Sequence, residues 1–302
     1  MRVAITGASG LMGGELMAMF AARGDEVMRV VRRPARNDRE VTWDPVAGRI
    51  DAARLEGVDA VVHLAGEGLM GVWTAAKKRR IRESRVRGTT LLAEALARLD
   101  RRPRVLLSAS AVGFYGDHPG GEPVDESTPA GRGFLADTAA AWERACEPAA
   151  AAGIRVANTR FGLALSPKGG ALAAMLPAFR LGIGGPVGSG RQIVSWIAVE
   201  EIGPAMLHVL EHEELHGPVN FTAPEAVSFK EFARTLGRVL GRPAVLRLPA
   251  FAARLVLGEM ADELLLSGAR VVPRRLLASG FGFRFPRLEP ALLGMLGRSG
   301  GG

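Results

Sequence analysis

The fold of this chain is decided by the stretch Val3-Ala4-Ile5-Thr6-Gly7-Ala8-Ser9-Gly10-Leu11-Met12-Gly13. A short apolar run leads into glycines spaced three residues apart, and apolar residues then recur at helical spacing through Leu16, Met19 and Phe20. The run predicts a strand, and the spacing after it predicts a helix. We therefore interpret the stretch as a strand, a phosphate-binding loop and a helix.

The glycine loop has the spacing of a dinucleotide-binding site. Its glycines would provide a tight turn, a close approach of the backbone to a pyrophosphate, and close packing of the helix on the strand. The helix presents free N–H groups and the positive end of its dipole to a diphosphate. An ordinary glycine-rich turn is the alternative. The predicted cofactor contacts are Gly7, Ala8, Ser9, Gly10, Leu11 and Met12.

The end of the second predicted strand, Glu26 to Val31, indicates which dinucleotide binds. NAD-binding folds generally carry an acidic residue at this position to accept hydrogen bonds from the ribose 2′-hydroxyl. Here Arg32 and Arg33 follow instead, and a guanidinium can hold a 2′-phosphate through two parallel hydrogen bonds. NADP(H) is therefore favoured over NAD, with Val31, Arg32 and Arg33 as contacts. Plain surface arginines are the alternative.

Further apolar runs predict more strands of the same sheet, alternating with helices. The strands are predicted at 41–43, 60–67, 105–110 and 155–160, and the helices at 74–99 and 134–152. This alternation predicts an α/β fold with a Rossmann-type doubly wound parallel sheet. Ligands lie at the carboxyl ends of such strands. The end of the fourth strand therefore adds four predicted cofactor contacts, Leu64, Ala65, Gly66 and Glu67.

Two single residues have surroundings that favour a structural role. His63 lies within an apolar run, where a buried histidine with satisfied hydrogen bonds is favoured over a catalytic one. Cys146 is the only cysteine, which excludes an intramolecular disulfide and a site built from several cysteines. Its position on a helical pattern after Trp142 favours a packed core thiol.

Composition sets further limits on function. The net charge is +8, but 35 of the 39 basic residues are arginine, and the densest basic cluster, 77–85, has no interleaved aromatic residues. A solvated helix face is favoured there over nucleic-acid binding. No apolar run reaches the roughly 18 residues of a membrane span, and the first strand begins too early for a leader peptide. We expect a cytoplasmic protein without membrane, nucleic-acid or metal partners; no motif reports its oligomeric state.

Several segments carry a resemblance to a known family. They are Thr6-Gly7, Gly10, Gly13, His63 to Glu67, Ser84-Arg85, Ser110, Tyr115-Gly116, Leu176 to Gln192, Trp196-Ile197 and Pro273 to Arg275. In these segments the sequence resembles an extended short-chain dehydrogenase/reductase, and more closely an atypical branch, the NAD(P)-dependent epimerase family of the YfcH/SDR39U1 type with its C-terminal family-specific domain. The resemblance implies NADP(H) binding and an unsettled substrate. Two further cofactor contacts are predicted, Arg85 in one of these segments and Arg160 at the end of the sixth predicted strand, which should approach the nicotinamide.

The chain departs from that superfamily at the catalytic pair. Most members use Tyr-x-x-x-Lys, in which the lysine lowers the pKa of the tyrosine so that it exchanges a proton with the substrate. At that place this chain has Phe134-Leu135-Ala136-Asp137-Thr138, and its only tyrosine, Tyr115, is followed four residues later by Pro119. Ser110 and Tyr115 are the catalytic candidates. The alternative is that Ser110 caps the strand end and Tyr115 lines the pocket.

A smaller α+β lobe, with a strand predicted at 245–248, is predicted to hold the substrate. We expect an NADP-binding Rossmann domain over 1–165, to which 195–222 returns, a substrate lobe over 166–194 and 223–298, and a disordered tail over 299–302. The glycine-rich loop in this lobe predicts a substrate cover with Gly190, Arg191 and Gln192 as contacts; a flexible tether is the alternative. The function predicted is an NADP(H)-dependent oxidoreductase or epimerase acting on a small carbonyl or sugar-like substrate, or else a non-catalytic NADPH-binding sensor.

Overall fold

The large sheet has eight strands, and the segment quoted above forms its first strand and first helix. The computed structural model describes residues 1–297, so the predicted disordered tail, 299–302, lies outside the described residues. The strands are β1 Arg2–Thr6, β2 Glu26–Val31, β3 Glu40–Asp44, β4 Arg49–Ile50, β5 Ala60–His63, β6 Val105–Ala111, β7 Pro123–Val124, β8 Arg155–Phe161, β9 Leu163–Leu165, β10 Ile193–Val194, β11 Trp196–Ala198, β12 Gly217–Phe221, β13 Val227–Ser228 and β14 Arg270–Val271.

Helices connect the strands and cover both faces of the sheet. They are α1 Leu11–Ala22, α2 Ala75–Ala97, α3 Phe134–Arg144, α4 Glu147–Ala151, α5 Gly170–Arg180, α6 Val199–Glu211, α7 Phe229–Leu240, α8 Ala250–Leu257, α9 Glu259–Ala261, α10 Arg274–Ala278 and α11 Leu288–Met295, with a π-helical turn at Asp262–Leu266. No helix within 1–297 is long and apolar enough to cross a membrane.

The sheet has the strand order β12-β8-β6-β5-β1-β2-β3-β4, and every neighbouring pair is parallel except β3 with β4. The order reverses beside β1, which is where doubly wound sheets bind their ligands. One core cluster packs α1 and α6 on one face through Leu16, Phe20 and Met206, and a second packs α2 on the other through Leu92 and Leu96. The predicted Rossmann-type doubly wound sheet is confirmed.

Three predicted elements differ in the structure. The strand predicted at 60–67 ends at His63, and 64–67 form no strand. The single helix predicted over 134–152 breaks into α3 and α4, because Pro148 lies in the first turn of α4 and cannot continue a helix from the preceding turn. The strand predicted at 245–248 is absent: the segment is exposed, and it has one isolated bridge, between Leu248 and Val187. Its short apolar run resembles a strand, but the segment pairs with none of the strands given above.

Candidate functional site

The passage from β1 into α1 requires glycine at two positions, Gly7 in the loop and Gly13 in the first turn of the helix. Gly7 has a φ of +68°, and a Cβ there would lie 3.0 Å from the Leu64 carbonyl. A Cβ on Gly13 would lie 2.3 Å from the carbonyl oxygen of Gly7, so α1 packs directly on the loop. Gly10, the N-cap of α1, is exposed and carries no side-chain cap, which leaves the first N–H groups of the helix open.

The other predicted contacts lie around this loop at the carboxyl edge of the sheet. Ser9 is exposed, while Ala8, Leu11 and Met12 are half-buried. The Leu11 side chain reaches toward the start of α5, since a Cβ on Gly169 would lie 3.7 Å from its Cδ1. The segment before α5 therefore borders the glycine loop.

A buried chain of hydrogen bonds fixes the strand ends beneath the loop. Thr6 Oγ1 accepts from the backbone N–H groups of Leu64 and Ala65, at 3.0 and 3.1 Å, so its own proton goes to His63 Nδ1 at 2.8 Å. His63 Nε2 then donates to Thr89 Oγ1 at 2.9 Å. Burial lowers the pKa of His63 to about 4, so the ring is neutral near pH 7. His63 is a structural residue, as the sequence favoured.

The two arginines after β2 have different surroundings. Arg33 donates from Nη1 and Nη2 to the two carboxylate oxygens of Glu40, at 2.7 and 2.6 Å, and this pairing lowers the pKa of Glu40 to about 2. Arg32 is exposed, and its side chain makes no hydrogen bond or ion pair with any residue of 1–297. Val31, before them, is half-buried. Of the two, Arg32 is the guanidinium available to a phosphate.

Past β5, the chain is held against α2. Arg85 Nη1 donates to the backbone oxygen of Glu67 at 3.0 Å, and a Cβ on Gly66 would lie 3.4 Å from the Arg85 guanidinium carbon. Burial lowers the pKa of Arg85 to about 10. The Glu67 carboxylate pairs with Lys77 at 2.8 Å. These contacts fix the backbone conformation of the segment after β5, against which Arg85 packs from α2.

Ser110 belongs to a network that the sequence did not predict. Its hydroxyl donates to Glu143 Oε1 at 2.6 Å. Glu143 also accepts from Nε and Nη2 of Arg160, both at 2.8 Å. Ser110 and Arg160 are neighbours across β6 and β8, and both are buried. Every nitrogen of the Arg160 guanidinium is engaged in this network, because Nη1 donates to the Tyr115 hydroxyl; its cofactor contact stays a prediction.

Tyr115 is enclosed by protein. Its side chain is 0% exposed, and its hydroxyl donates to Asn220 Oδ1 at 2.7 Å. Burial raises the pKa of Tyr115 to about 12, although the Arg160 cation acts in the opposite direction. Glu126 lies next to Asn220 and accepts from its backbone N–H at 3.0 Å. The structure thus brings Ser110 and Tyr115 into one network, with Tyr115 at its inner end.

The place of the missing catalytic pair is filled by apolar and helix-capping contacts. The Phe134 ring packs edge-on against Trp73, with the ring centres 5.3 Å apart. The backbone N–H groups of Phe134 and Leu135 donate to the two oxygens of Glu263, at 3.1 and 3.2 Å, so a carboxylate from the C-terminal region caps α3. Thr138, where the lysine would fall, is buried.

The glycine-rich loop of the predicted substrate lobe is packed. Gln192 Nε2 donates to the backbone oxygens of Val187 and Leu265, at 3.1 and 2.6 Å, and so does not point outward as a polar tip. Gly190 is buried with a φ of +71° against Lys230. Arg191 alone of the predicted substrate contacts is exposed.

Sequence reasoning missed three residues of this region, Glu143, Asn220 and Glu263. Each acts through a partner that lies far along the chain or on another element, and none lies within a recognisable motif. Within 1–297 no group of histidine, cysteine, aspartate and glutamate has the geometry of a metal site. Cys146 is a buried thiol whose pKa burial raises to about 11.

Comparisons with known proteins match this architecture. The profile of the NAD dependent epimerase/dehydratase family matches residues 3–221, and the profile of a domain of unknown function, DUF1731, matches 248–293. The epimerase family protein Mb2239 of Mycobacterium bovis is 43% identical over 291 residues, 96% of each chain. The human epimerase family protein SDR39U1 is 36% identical over 97% of this chain and 98% of its own.

Solved structures agree with the sequence comparisons. The crystal structure of human SDR39U1 (isoform 2) with NADPH superposes with a TM-score of 0.88 at 33% identity, covering 98% of this chain and 99% of that one. The nucleoside-diphosphate sugar epimerase from Corynebacterium glutamicum superposes with a TM-score of 0.79 at 35% identity, covering 98% of this chain but 58% of that longer chain.

Proposed function

This chain belongs to the NAD dependent epimerase/dehydratase family, and from that premise we propose that it binds NADP(H) and acts as an oxidoreductase or epimerase on a small carbonyl or sugar-like substrate. The observation that carries the proposal is the glycine cradle, in which a side chain at Gly7 would press on the Leu64 backbone and one at Gly13 would collide with the backbone of the loop. An exposed helix N-terminus beside a side-chain-free loop suits a diphosphate.

The preference for the phosphorylated cofactor rests on Arg32. Its exposed guanidinium follows the second strand, where a 2′-phosphate would lie, whereas Arg33 is occupied by Glu40. The related human protein was crystallised with NADPH, which supports the same cofactor here. The bound nicotinamide would supply or accept a hydride.

We assign Ser110 to the substrate oxygen. Because its hydroxyl donates to Glu143, Ser110 Oγ has only acceptor capacity left, which suits a substrate hydroxyl that donates to it. As that hydroxyl loses its proton to Ser110 Oγ, the serine proton can pass to Glu143. Tyr115 takes part as a positioning residue, because its buried hydroxyl holds Arg160, which in turn holds Glu143.

A non-catalytic NADPH-binding sensor is the second candidate. The packing of Phe134 against Trp73 favours it, because an apolar contact fills the place of the usual tyrosine. Both candidates share the cofactor. They differ in whether a hydride is transferred between the nicotinamide and a substrate.

The first experiment concerns the cofactor. Fluorescence titration should show NADPH binding more tightly than NADH, and Arg32→Ala should weaken NADPH by about tenfold or more while leaving NADH unchanged. Arg39→Ala, which removes another exposed arginine of the same region, is the matched control. Equal affinities for the two cofactors would contradict the role of Arg32.

The second experiment separates enzyme from sensor. NADPH deuterated at C4 is incubated with a panel of carbonyl compounds and sugars, and mass spectrometry follows the label. Transfer that Ser110→Ala abolishes, with NADPH affinity retained, supports the enzyme. Tight NADPH binding without transfer to any compound favours the sensor.

A cytoplasmic location and a substrate contact by Arg191 remain predictions from the sequence.

A further inference from the structure

Exposed apolar side chains are concentrated in two segments of the chain. Of the thirteen large apolar side chains exposed within 1–297, eight fall in 181–183 and 245–256. We call these eight the apolar patch. They are Leu181, Ile183, Val245, Leu246, Leu248, Phe251, Leu255 and Val256, and their exposed fractions range from 43% to 85%.

The structure places the two segments side by side. The backbone N–H of Leu248 donates to the Pro186 carbonyl at 3.0 Å, and the N–H of Gly188 donates to the Leu248 carbonyl at 2.9 Å. A Cβ on Gly185 would lie 2.1 Å from the Leu246 carbonyl oxygen. The glycines of this loop therefore let the segment before α8 lie directly against it.

Helix α8 extends the patch with one buried and one exposed face. Ala253 is buried in a cluster with Val187. Phe251 and Leu255, four residues apart and so on one side of the helix, are 73% and 85% exposed. An aromatic and a leucine exposed together on a short helix are unusual for a surface that meets only water.

Basic residues predominate around the patch. Residues 161–199 and 232–258, which contain both segments, have no aspartate or glutamate. Their basic residues are Lys168, Arg180, Arg191, Arg234, Arg238, Arg242, Arg247 and Arg254. Acidic residues of neighbouring elements pair with three of these basic residues, Glu15 with Lys168, Glu289 with Arg238 and Asp262 with Arg254, and the exposed Glu259 that follows α8 pairs with Lys78. The other five form no ion pair within 1–297: Arg180, Arg191, Arg234, Arg242 and Arg247.

This charge decides between possible occupants of the patch. A second copy would bring an equally basic surface against it, and like charges would face each other across the interface. An anionic lipid surface offers apolar chains to Phe251 and Leu255 and negative headgroups to the arginines around them. From this complementarity we propose that the apolar patch docks the protein reversibly onto membranes containing anionic lipids, with α8 lying in the headgroup region.

The proposed contact is peripheral. It is compatible with the lack of a spanning helix in the described chain. The expectation of no membrane partner was based on the length of the apolar runs alone. That criterion detects membrane-spanning helices and does not detect a peripheral contact such as this one. Attraction between arginines and headgroups is screened by salt, so the binding should weaken as ionic strength rises.

The experiment uses the full chain and two kinds of vesicle, phosphatidylcholine alone and phosphatidylcholine with about one third phosphatidylglycerol. We expect co-sedimentation with the anionic vesicles at low salt and none with the neutral ones. Leu255→Asp should reduce the bound fraction about tenfold or more. Val46→Asp is the matched control, because Val46 is also 85% exposed but lies in the turn between β3 and β4; it should bind as the unaltered protein does.

A fluorescent reporter locates the contact. Phe251→Trp should shift its emission to shorter wavelength on addition of anionic vesicles, and Val46→Trp should not. The proposal is overturned if the protein fails to bind anionic vesicles, or if Leu255→Asp binds them as well as Val46→Asp does. It is also overturned if sedimentation velocity shows a dimer that Leu255→Asp dissociates, because a second copy would then cover the patch.

Discussion

Arg160 donates a hydrogen bond from Nη1 to the hydroxyl of Tyr115 across 2.9 Å, and its guanidinium carbon lies 5.1 Å from the centre of the same ring. A cation thus lies beside the only phenol of the chain, although the usual Tyr-x-x-x-Lys pair is absent. The effect on the phenol is the opposite of that in the usual pair, in which the lysine lowers the tyrosine pKa. Here burial outweighs the cation and raises the pKa of Tyr115 to about 12. Arg160 and Tyr115 therefore form a structural pair that supports Ser110 through Glu143.

Removing the Tyr115 hydroxyl tests this interpretation. Tyr115→Phe leaves Asn220 Oδ1 without its donor and Arg160 Nη1 without its acceptor, both buried. We expect the free energy of unfolding, measured in urea, to fall by about 1–3 kcal/mol, with NADPH affinity unchanged. A loss of NADPH affinity without a loss of stability would mean that the hydroxyl contacts the cofactor.

Breaking the ion pair at Glu143 should lower the free energy of unfolding more than Tyr115→Phe does. Glu143→Gln leaves the buried Arg160 guanidinium without its counter-charge, so we expect a loss of about 3–5 kcal/mol in the free energy of unfolding. The matched control is Glu94→Gln, which removes an exposed partner of Arg98 and should cost less than about 1 kcal/mol. If urea denaturation shows the same loss of stability for Glu143→Gln and Glu94→Gln, burial does not strengthen the effect of removing Glu143.

The glycine loop and the sheet could be predicted because their signals are local. Spacing within the first thirteen residues predicts a strand, a turn and a helix, and Gly7 and Gly13 have the close backbone contacts that the pattern requires. Arg32 and Arg33 were equivalent in the sequence. Only the structure separates them, because Glu40 comes beside Arg33 through the pairing of β2 with β3.

The network around Ser110 could not be predicted, because its contacts join distant parts of the chain. Ser110 and Glu143 are 33 residues apart, and Tyr115 and Asn220 are 105 apart. The strand predicted at 245–248 was wrong for a related reason. A short apolar run forms a strand only where a neighbouring strand can take its backbone hydrogen bonds. This segment instead lies exposed along the 182–188 loop.

Two adjacent glycines in α1 offer a controlled test of the loop. Gly13→Ala would place a methyl group 2.3 Å from the Gly7 carbonyl oxygen, so the loop must shift; we expect a loss of about 2 kcal/mol in stability together with weaker NADPH binding. Gly14→Ala has nothing within 4 Å of its new methyl group and should stabilise the helix by up to about 1 kcal/mol. Thermal unfolding with and without NADPH measures both effects.

The buried histidine beneath the loop should make stability depend on pH. His63 has a pKa of about 4 in the folded protein, whereas an unfolded chain binds the proton near pH 6.5. Between these values the proton binds the unfolded state preferentially, so the free energy of unfolding should fall as the pH drops from about 6.5 to 4. The slope attributable to one proton is about 1.4 kcal/mol per pH unit.

Comparison with a variant isolates this contribution. His63→Gln keeps an amide that can accept from Thr6 and donate to Thr89, the two hydrogen bonds of the ring, but it does not titrate. We expect its stability in urea at pH 7 to be lower than that of the unaltered protein, and the gap to narrow at pH 5. His216→Gln, at an exposed histidine, is the matched control for the loss of an imidazole. A gap that stays constant with pH would show that His63 is not held neutral by burial.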